Sequence, residues 1–404
     1  MGIFNLGKLI ESLCDINVIS LANNTRGSCI VAVDSSIFMY RFLHNSKNYS
    51  EYVLNIIKFV TKLKGLCMEP IFVLDGKSRK EKLPTHRKRR QQKKNISRRI
   101  DNIKQKLFTM KNKIENLNDN NCTILTINLE SELEKLIKKS NSINHRHIQL
   151  LKETLTMLGV VYIQSIGEAD PFCAALVKEN VAHCCLTNDN DLLAFGCPVT
   201  YQNFIFQNNQ VTKYDLYEIL QDLQITYDQF VDMIILMGTD YSKAMYGIKP
   251  QIAIECIKCY GSIENVLKNL DEINATIVKR FRSIYKKQKN LKKPDNENFD
   301  YEVVRKIFKE PLNIRENIQH TNYQELTYEW LYGDTRLRQL EQFLIDTVGL
   351  NFNEAREKVR YLNLIWTSVI GKCNASWKQE YKTTSCNPIN TYINNNCYKY
   401  PTRS

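Results

Sequence analysis

No stretch of this 404-residue chain is apolar for long enough to cross a membrane. Its longest apolar runs fall well short of the roughly 18 residues that a span requires. The N-terminus, Met1-Gly2-Ile3-Phe4-Asn5-Leu6, lacks the charged start and long apolar core of a signal peptide. Leu6 also stands where a myristoylation signal would want Ser or Thr. No internal repeat is evident. The thirteen cysteines are an odd number without regular spacing. Several of them (Cys29, Cys184, Cys185) fall inside apolar runs, where a reduced thiol behaves as a small hydrophobe. The one Cys-x-x-Cys, Cys256 to Cys259, has neither a second pair nor a nearby His, which argues against a four-ligand zinc site and for ordinary helix positions. His145 and His147 lie in a polar, helix-like segment and read as solvated rather than ligating. These absences describe a soluble, intracellular protein with no membrane role.

Positive charge is what the chain has in excess. Its formal net charge is +13, which favours an anionic partner, nucleic acid before membrane. The length allows one large domain or two modest ones. Lys, Asn and Ile are abundant throughout, a mark of biased genome composition more than of chemistry.

The first 75 residues read as strand, helix, strand. Ser28 to Val33 is an apolar, β-rich run; Tyr52 to Leu66 has helical spacing through Val53, Ile56, Ile57, Val60 and Leu63; Ile71 to Leu74 is apolar again. Two strands joined by a helix imply a βαβ unit and a parallel sheet. Ligands of such sheets collect outside the carboxyl ends of the strands, near a switch in strand order. Asp34 and Asp75 each follow a strand directly, so both should face that crevice.

Residues 77 to 99 then carry twelve Lys or Arg against one acid, Glu81. From there to about residue 140 the chain is polar and helix-favouring, with apolar positions too sparse for a normal core. A solvated surface excursion is the plain reading; a basic, mobile helical arch that handles a nucleic-acid backbone is the functional one. A helix follows from about His147 to Leu158 and a strand from Val160 to Ile163. Glu168 and Asp170 start the next helix, Val181 to Leu186 is another strand, and Asp189 and Asp191 occupy the loop beyond it. A helix near Asp228 to Met237 leads to Asp240. The chain is therefore α/β through about residue 240, with the basic, helix-favouring segment near 77–145. A mostly helical region follows at 241–370, then a loose tail at 371–404. Gly247-Ile248-Lys249-Pro250 reads as a tight turn opening an amphipathic helix, a unit whose backbone N–H groups suit a phosphate. Residues 284 to 298 read as an exposed linker or loop, with helical patterning from Tyr301 to about Trp366.

Asp34, Asp75, Glu168, Asp170, Asp189, Asp191 and Asp240 come from widely separated parts of the sequence. Gathered in one cleft without neutralisation they would repel, and several would stay protonated. Divalent ions remove that problem, and Mg²⁺, which prefers octahedral oxygen coordination and keeps several waters, suits carboxylates of this kind. Two such ions about 4 Å apart can activate a water and stabilise a leaving oxygen in phosphodiester hydrolysis. Some of these acids, Asp240 or Glu168 taken singly, could equally be helix caps or solvated loop residues.

The chain resembles the flap endonuclease (XPG-type) family on Met1-Gly2-Ile3, Asp34-Ser35-Ser36 with Tyr40, and Leu74-Asp75-Gly76-Lys77. The likeness continues through Gly167-Glu168-Ala169-Asp170 with Cys173-Ala174-Ala175-Leu176, then Thr187-Asn188-Asp189-Asn190-Asp191-Leu192-Leu193-Ala194-Phe195-Gly196. It closes on Gly238-Thr239-Asp240-Tyr241 and the turn at Gly247. It spans residues 1 to 270 strongly and reaches 370 weakly. All seven metal-ligand positions of the family are filled by acids. The resemblance implies a parallel, mixed-edge twisted sheet flanked by helices, a PIN-like 5′-nuclease core, with a helical arch and a helix–turn–helix DNA-binding region towards the C-terminus. It implies two Mg²⁺, replaceable by Mn²⁺, one nearer Asp34, Asp75, Glu168 and Asp170, the other nearer Asp189, Asp191 and Asp240. Lys82 matches the lysine at the base of the arch and Arg89 the arch arginine, both acting on the scissile phosphate; Arg87, Lys88 and Arg90 compete with Arg89 for its role. Tyr40 would stack on a base at the junction, with a core tyrosine as its plain alternative, and Gly2 would place the mature N-terminus near the active site. Lys77, Gly247 and Lys249 complete the DNA-binding set.

Three departures stand out. Asp170 replaces the usual Glu, Lys249 replaces a glycine of the DNA-binding hairpin, and the arch segment is long. No sliding-clamp box is present. With the biased composition, these suggest a member from a large DNA virus, a poxvirus being one candidate, acting in host cytoplasm; a cellular member would be nuclear. The expected function is a Mg²⁺-dependent nuclease, working as a monomer on branched or 5′-ended DNA in replication, recombination or break repair. Its rivals are a Holliday-junction resolvase or exonuclease of the same family, an exoribonuclease, and a catalytically idle DNA-binding scaffold.

Overall fold

The computed structural model describes residues 3, 5–21, 29–117, 120–284, 288–293, 299–322 and 334–372. The first half runs α1 (Leu6–Leu13), β1 (Asn17–Ser20), β2 (Cys29–Asp34), α2 (Ser35–His44), α3 (Tyr49–Gly65) and β3 (Met68–Leu74). Two long helices, α4 (Leu83–Leu117) and α5 (Asn120–Ser140), precede α6 (His145–Met157), β4 (Val161–Ser165), α7 (Ala169–Lys178), β5 (Cys184–Leu186) and α8 (Asp191–Ala194). The hairpin β6 (Val199–Ile205) and β7 (Gln210–Asp215) leads to α9 (Leu216–Leu223) and α10 (Tyr227–Met237). Beyond it come α11 (Pro250–Tyr260), α12 (Ile263–Lys268), α13 (Leu270–Ile273), α14 (Lys279–Ile284), α15 (Tyr301–Lys309), β8 (Ile318–Thr321) and helices over Asp334–Phe343 and Phe352–Lys372. Among the described residues no helix is long and apolar enough to cross a membrane.

Eight strands form one sheet in the order β1-β7-β6-β5-β2-β3-β4-β8. Its centre, β6-β5-β2-β3-β4, is parallel, and the outer pairings β1 to β7, β7 to β6 and β4 to β8 are antiparallel. The mixed-edge parallel sheet of the sequence reading is therefore what forms. From β2 the chain winds outward through β3 to β4, then returns to the other side of β2 as β5. That reversal is the switch point at which open α/β sheets leave a crevice. Register places the acids there: Asp34 pairs with Val73, and Val33 pairs with Leu186, so Asp34, Asp75 and the Asp189 loop leave the sheet at one edge.

Alternation along the central strands sends side chains to opposite faces. Ile30, Ala32, Ile71, Val73 and Ile163 enter a core with α1, α7, α10, α11 and α15. Val31, Val33, Phe72, Leu74 and Tyr162 enter another with α2, α3, α6 and the helices over 334–372. Residues 252–314 belong to the first core, so the helical region beyond residue 240 packs on the same sheet as the rest.

The region beyond residue 240 is mostly helical, with one strand, β8, returning to pair with β4. Three expectations need correction. The arch segment does have a core of its own: Ile100, Ile103 and Leu107 of α4 meet Leu136 of α5, with Ile96, Leu129 and Leu133 alongside. A two-helix hairpin needs only one seam of apolar residues, which is why they are sparse. Within 284–298, Gln288 and Leu291 are buried, so that part is no exposed linker. His147 is not solvated either. It is buried, its Nδ1 accepts from the Asn144 N–H and its own N–H donates to Asn144 Oδ1, closing a capping box at the start of α6. The tail beyond residue 372 lies outside the described residues.

Arg305 ties α15 to α10 and α12. Its guanidinium donates to Asp232 Oδ1 at 2.8 Å and to Glu264 Oε1 at 2.8 Å, and Asp232 also accepts from the Ile263 N–H. Hydrogen bonding from Arg305 holds the Glu264 carboxyl down at about 2, from an ordinary 4.5. Because that carboxyl is depressed in the folded state, its contribution is present above its unfolded value and fades as pH falls from about 4.5 to 2. Arg305→Ala, which strands buried Asp232, is expected to lower stability by about 3 kcal/mol in denaturant unfolding at neutral pH. The deficit relative to the unmutated chain should shrink below pH 4.5; a deficit unchanged down to pH 2 would count against the bridge.

Candidate active site

Asp34 closes β2 and caps α2, its Oδ1 accepting from the Ser36 N–H at 3.1 Å and its Oδ2 from the Thr187 hydroxyl at 3.2 Å. Asp75 follows β3; its Oδ1 accepts from the Ala169 N–H at 2.8 Å and its Oδ2 from the Ser36 hydroxyl. The strand after β3 must pass the loop before α7 very closely, with Gly76 N–H donating to the Gly167 carbonyl at 2.7 Å. A Cβ on Gly76 would lie 2.0 Å from the Ser165 carbonyl oxygen, so only glycine fits there. Glu168 holds the N-cap position of α7 and Asp170 its first turn, side by side.

On the far side of β2, Thr187 organises the loop after β5. Its hydroxyl accepts from the Asp189 N–H at 3.0 Å while donating to Asp34, and Asp189 Oδ1 accepts from the Asp191 N–H at 3.1 Å. Asp191 opens α8 and is buried, with Oδ1 accepting from the Ile3 N–H at 2.9 Å. Gly2 lies outside the described residues, yet its neighbour Ile3 already reaches the cluster. Asp240 arrives from α10 through Gly238, whose φ is 89° and where an added Cβ would lie 2.5 Å from the Ala244 nitrogen, so no side chain fits.

Two cations enter this group of acids. Lys82 is buried, with Nζ 3.1 Å from Glu168 Oε1 and 3.8 Å from Asp240 Oδ2. Arg89 Nη2 donates to Asp240 Oδ2 at 2.6 Å, and the Thr85 hydroxyl donates to the Asp240 carbonyl. Of the four basic residues at 87–90, Arg89 is thus the one turned into the cleft; Arg87, Lys88 and Arg90 are exposed, as is Lys77. The Tyr241 hydroxyl donates to Glu168 Oε2, and the Tyr241 ring packs against Phe195 and Phe308 and lies 5.4 Å from Lys82 Nζ.

Electrostatics report how crowded the acids are. Burial, then repulsion from Asp75 and Asp189, pushes the Asp34 carboxyl up to about 7. Burial, then Asp34 and Asp189, raises Asp170 well above the ordinary range, and burial, then Asp189 and Asp240, does the same to Asp191. Burial raises Asp189 too. Burial works against the Lys82 charge, but Glu168, Asp170 and Asp240 outweigh it and hold the ammonium above its usual range.

A cavity of about 720 Å³ opens on these groups, lined by Asp34, Asp75, Glu168, Asp170, Asp189 and Asp240 together with Lys82, Arg89 and Tyr40. Six of the seven expected acids and both expected cations therefore meet in one concavity, with Asp191 directly behind. Tyr40 stands on its wall, half-buried and stacked on His44, rather than in the core. The turn at Gly247 does not join the cavity lining. It is closed over by the 288–290 segment: Gln288 Nε2 donates to the Gly247 carbonyl at 2.7 Å, and a Cβ there would meet the Asn290 carbonyl oxygen at 2.7 Å. Lys249 is the N-cap of α11, half-buried.

Oxygen-only donors in excess of the available positive charge fit hard divalent cations. As the side chains stand, no three His, Cys, Asp or Glu among the described residues are arranged to hold an ion. In this arrangement Lys82, Arg89, Tyr241, Ser36 and the Ile3 N–H are the partners of carboxylate oxygens on Glu168, Asp240, Asp75 and Asp191. Ser36, Thr187 and Tyr241 have organising roles that the sequence reading did not assign, although all three sit inside the motifs it quoted. Gln164, which donates to the Asp75 carbonyl at 2.6 Å, carried no signal at all.

Comparison with known proteins gives one family. The XPG N-terminal domain matches residues 1–96 and the XPG I-region residues 159–240, the two stretches that carry all seven acids of the cleft. Flap endonuclease 1 of Enterocytozoon bieneusi is 29% identical over 299 residues, covering 70% of this chain and 77% of that protein. Flap endonuclease 1 of Glycine max is 27% identical over 381 residues, covering 89% of this chain and 87% of that protein. In fold, the catalytic core of Rad2 in complex with a DNA substrate aligns over 89% of this chain and 99% of its own, with a TM-score of 0.63 at 19% identity. Both XPG signature regions are thus present, in order, around a shared acidic cleft, and the chain is similar to flap endonucleases over most of its length.

Proposed function

We propose that this chain is a Mg²⁺-dependent, structure-specific DNA nuclease that cuts branched DNA near a 5′ end, with 5′→3′ exonuclease action on free ends. The observation that carries this reading is the meeting of six carboxylates with Lys82 and Arg89 in one cavity at the switch point of the sheet. Bound ions would be held by Asp34, Asp75, Glu168 and Asp170 on one side and by Asp189, Asp191 and Asp240 on the other. When bound, they would supply an activated water and stabilisation of the leaving oxygen.

The chain's own residues do the rest. Thr187 and the Ser36 N–H fix both oxygens of Asp34, so its carboxylate is presented in one orientation. Tyr241, wedged between Phe195 and Phe308, does the same for Glu168. Lys82 and Arg89, paired here with Glu168 and Asp240, stand where they would meet the negative charge that develops on a scissile phosphate. Arg89 lies on α4, so the arch delivers one of these charges directly. Tyr40 offers a stacking face for a base on the same wall. Selectivity for branched substrates follows from bending at a junction and confinement of a 5′ strand beside the arch, not from base reading. Replication, recombination or break repair of DNA is the setting that suits such a substrate, and the basic, Lys-Asn-Ile-rich composition supports a large DNA virus as its source.

Asp34→Ala and Asp189→Ala are expected to abolish cleavage of a 5′-flap duplex in Mg²⁺ while leaving DNA affinity within a few fold, measured by gel assay and fluorescence anisotropy; retained cleavage in Asp189→Ala would remove the two-ion assignment. Lys82→Ala should slow single-turnover cleavage by roughly 10²-fold. A panel of flap, nicked, four-way-junction, blunt and RNA substrates tests the activity itself. Preference for a four-way junction, or for RNA, would replace the flap reading with a resolvase or an exoribonuclease.

A further inference from the structure

Lys82 and Arg89 do not exhaust the basic groups in the active-site cavity. Its lining also includes His86, His145 and Lys152, with Ile143 and Ile148 between them. Lys82 and Arg89 are both engaged by acids. His86, His145 and Lys152 make no ion pair with a carboxylate among the described residues.

Lys152 is tied to the acids through its side chain, and His86 and His145 through the backbone elements that carry them. Lys152 Nζ donates to Gln164 Oε1 at 2.7 Å, and Gln164 Nε2 donates to the Asp75 carbonyl at 2.6 Å, so the ammonium is tethered to the strand end that carries Asp75. One of its N–H groups is used in this way and the others are free to meet a second acceptor. His86 follows Thr85, whose hydroxyl is bonded to the Asp240 carbonyl at 2.8 Å. His145 is the first residue of α6, which is anchored by the buried His147 capping box and its packing on Tyr49 and Tyr52. Burial holds the Lys152 ammonium below the ordinary lysine range, so an anion beside it would relieve a standing cost.

We propose that His86, His145 and Lys152 form a phosphate-binding strip that takes the phosphate of the 5′ strand next beyond the one being cut. The chemistry recognised is a phosphate oxygen, from either a terminal monoester or an internal diester. Ile143 and Ile148 give the intervening sugar an apolar floor. The strip draws the leaving 5′ strand along α6, away from the acids, and so helps set where the cut falls. The proposal rests on the nuclease reading above and fails separately from it.

The test uses the full chain and three duplexes that differ only in the 5′ strand: a one-nucleotide flap ending in phosphate, the same flap ending in hydroxyl, and a long flap. The unmutated protein should favour the phosphate end in kcat/KM by roughly tenfold, the scale of a charge-assisted bond to phosphate. His145→Asn, on an exposed position, and Lys152→Met, which keeps the packing of the stem, should each reduce that preference severalfold through KM, and together bring it close to unity. If long-flap cleavage weakens in step, the bound group includes an internal diester; if it does not, the terminal monoester alone is recognised. Equal treatment of phosphate and hydroxyl ends by the unmutated protein, or a preference unmoved in the double variant, overturns the strip. Equilibrium binding of the same duplexes without added metal reads the phosphate preference independently. Failure to cleave any of the three, with that binding preference intact, would instead reject the nuclease reading.

Discussion

Burial and repulsion from neighbouring carboxylates raise the carboxyls of Asp34, Asp170, Asp189 and Asp191, Asp34 to about 7. A protein that keeps such a group together needs positive charge in the same space. In this structure Lys82 and Arg89 supply it, and both come from the segment that leads into α4. The arch is therefore bound electrostatically to the cleft acids. The same two side chains that neutralise Glu168 and Asp240 are those for which the proposed function gives a phosphate-binding role.

The frame around the acids is built for rigidity. Parallel pairing of β2 with β3 and β5 brings three strand ends to one edge, and the return of the chain at β5 opens the crevice there. Small hydroxyl residues then lock the carboxylates: Ser36 links Asp34 to Asp75, and Thr187 links Asp34 to Asp189. Support extends outwards through Tyr241 to Phe308 of α15, whose position is held in turn by Arg305 bridging Asp232 and Glu264. Helices beyond residue 240 thus contribute to the geometry of a carboxylate on α7.

How much of this could be read beforehand depended on the kind of signal. The buried central strands announce themselves as apolar runs, since both faces are covered, and the acids that follow them stand out for that reason. The hairpin β6–β7 does not: its buried face along β6 carries Thr200 and Gln202 before Phe204, so hydrophobicity alternates on the wrong side. His147 looked solvated because its neighbours are polar, yet a capping box and two tyrosines bury it. Arg89 could not be told from Arg87, Lys88 and Arg90 by spacing alone; the direction in which α4 leaves Lys82 selects it. The cover that Gln288 and Asn290 lay over Gly247 joins residues some forty positions apart, and no local pattern carries such a contact.

Order and residue type, then, were enough to name the acids, the basic segment and the parallel sheet, because strand ends, burial and charge are properties of short stretches. Which oxygen meets which donor was decided only when distant stretches were packed together. Lys82 reaches Glu168 and Asp240 across intervals of the chain far longer than any helix or turn, and Lys152 reaches Asp75 only through Gln164. Hydrogen bonds and ion pairs act over a few ångströms of space, whatever the separation along the chain, and folding alone sets that distance.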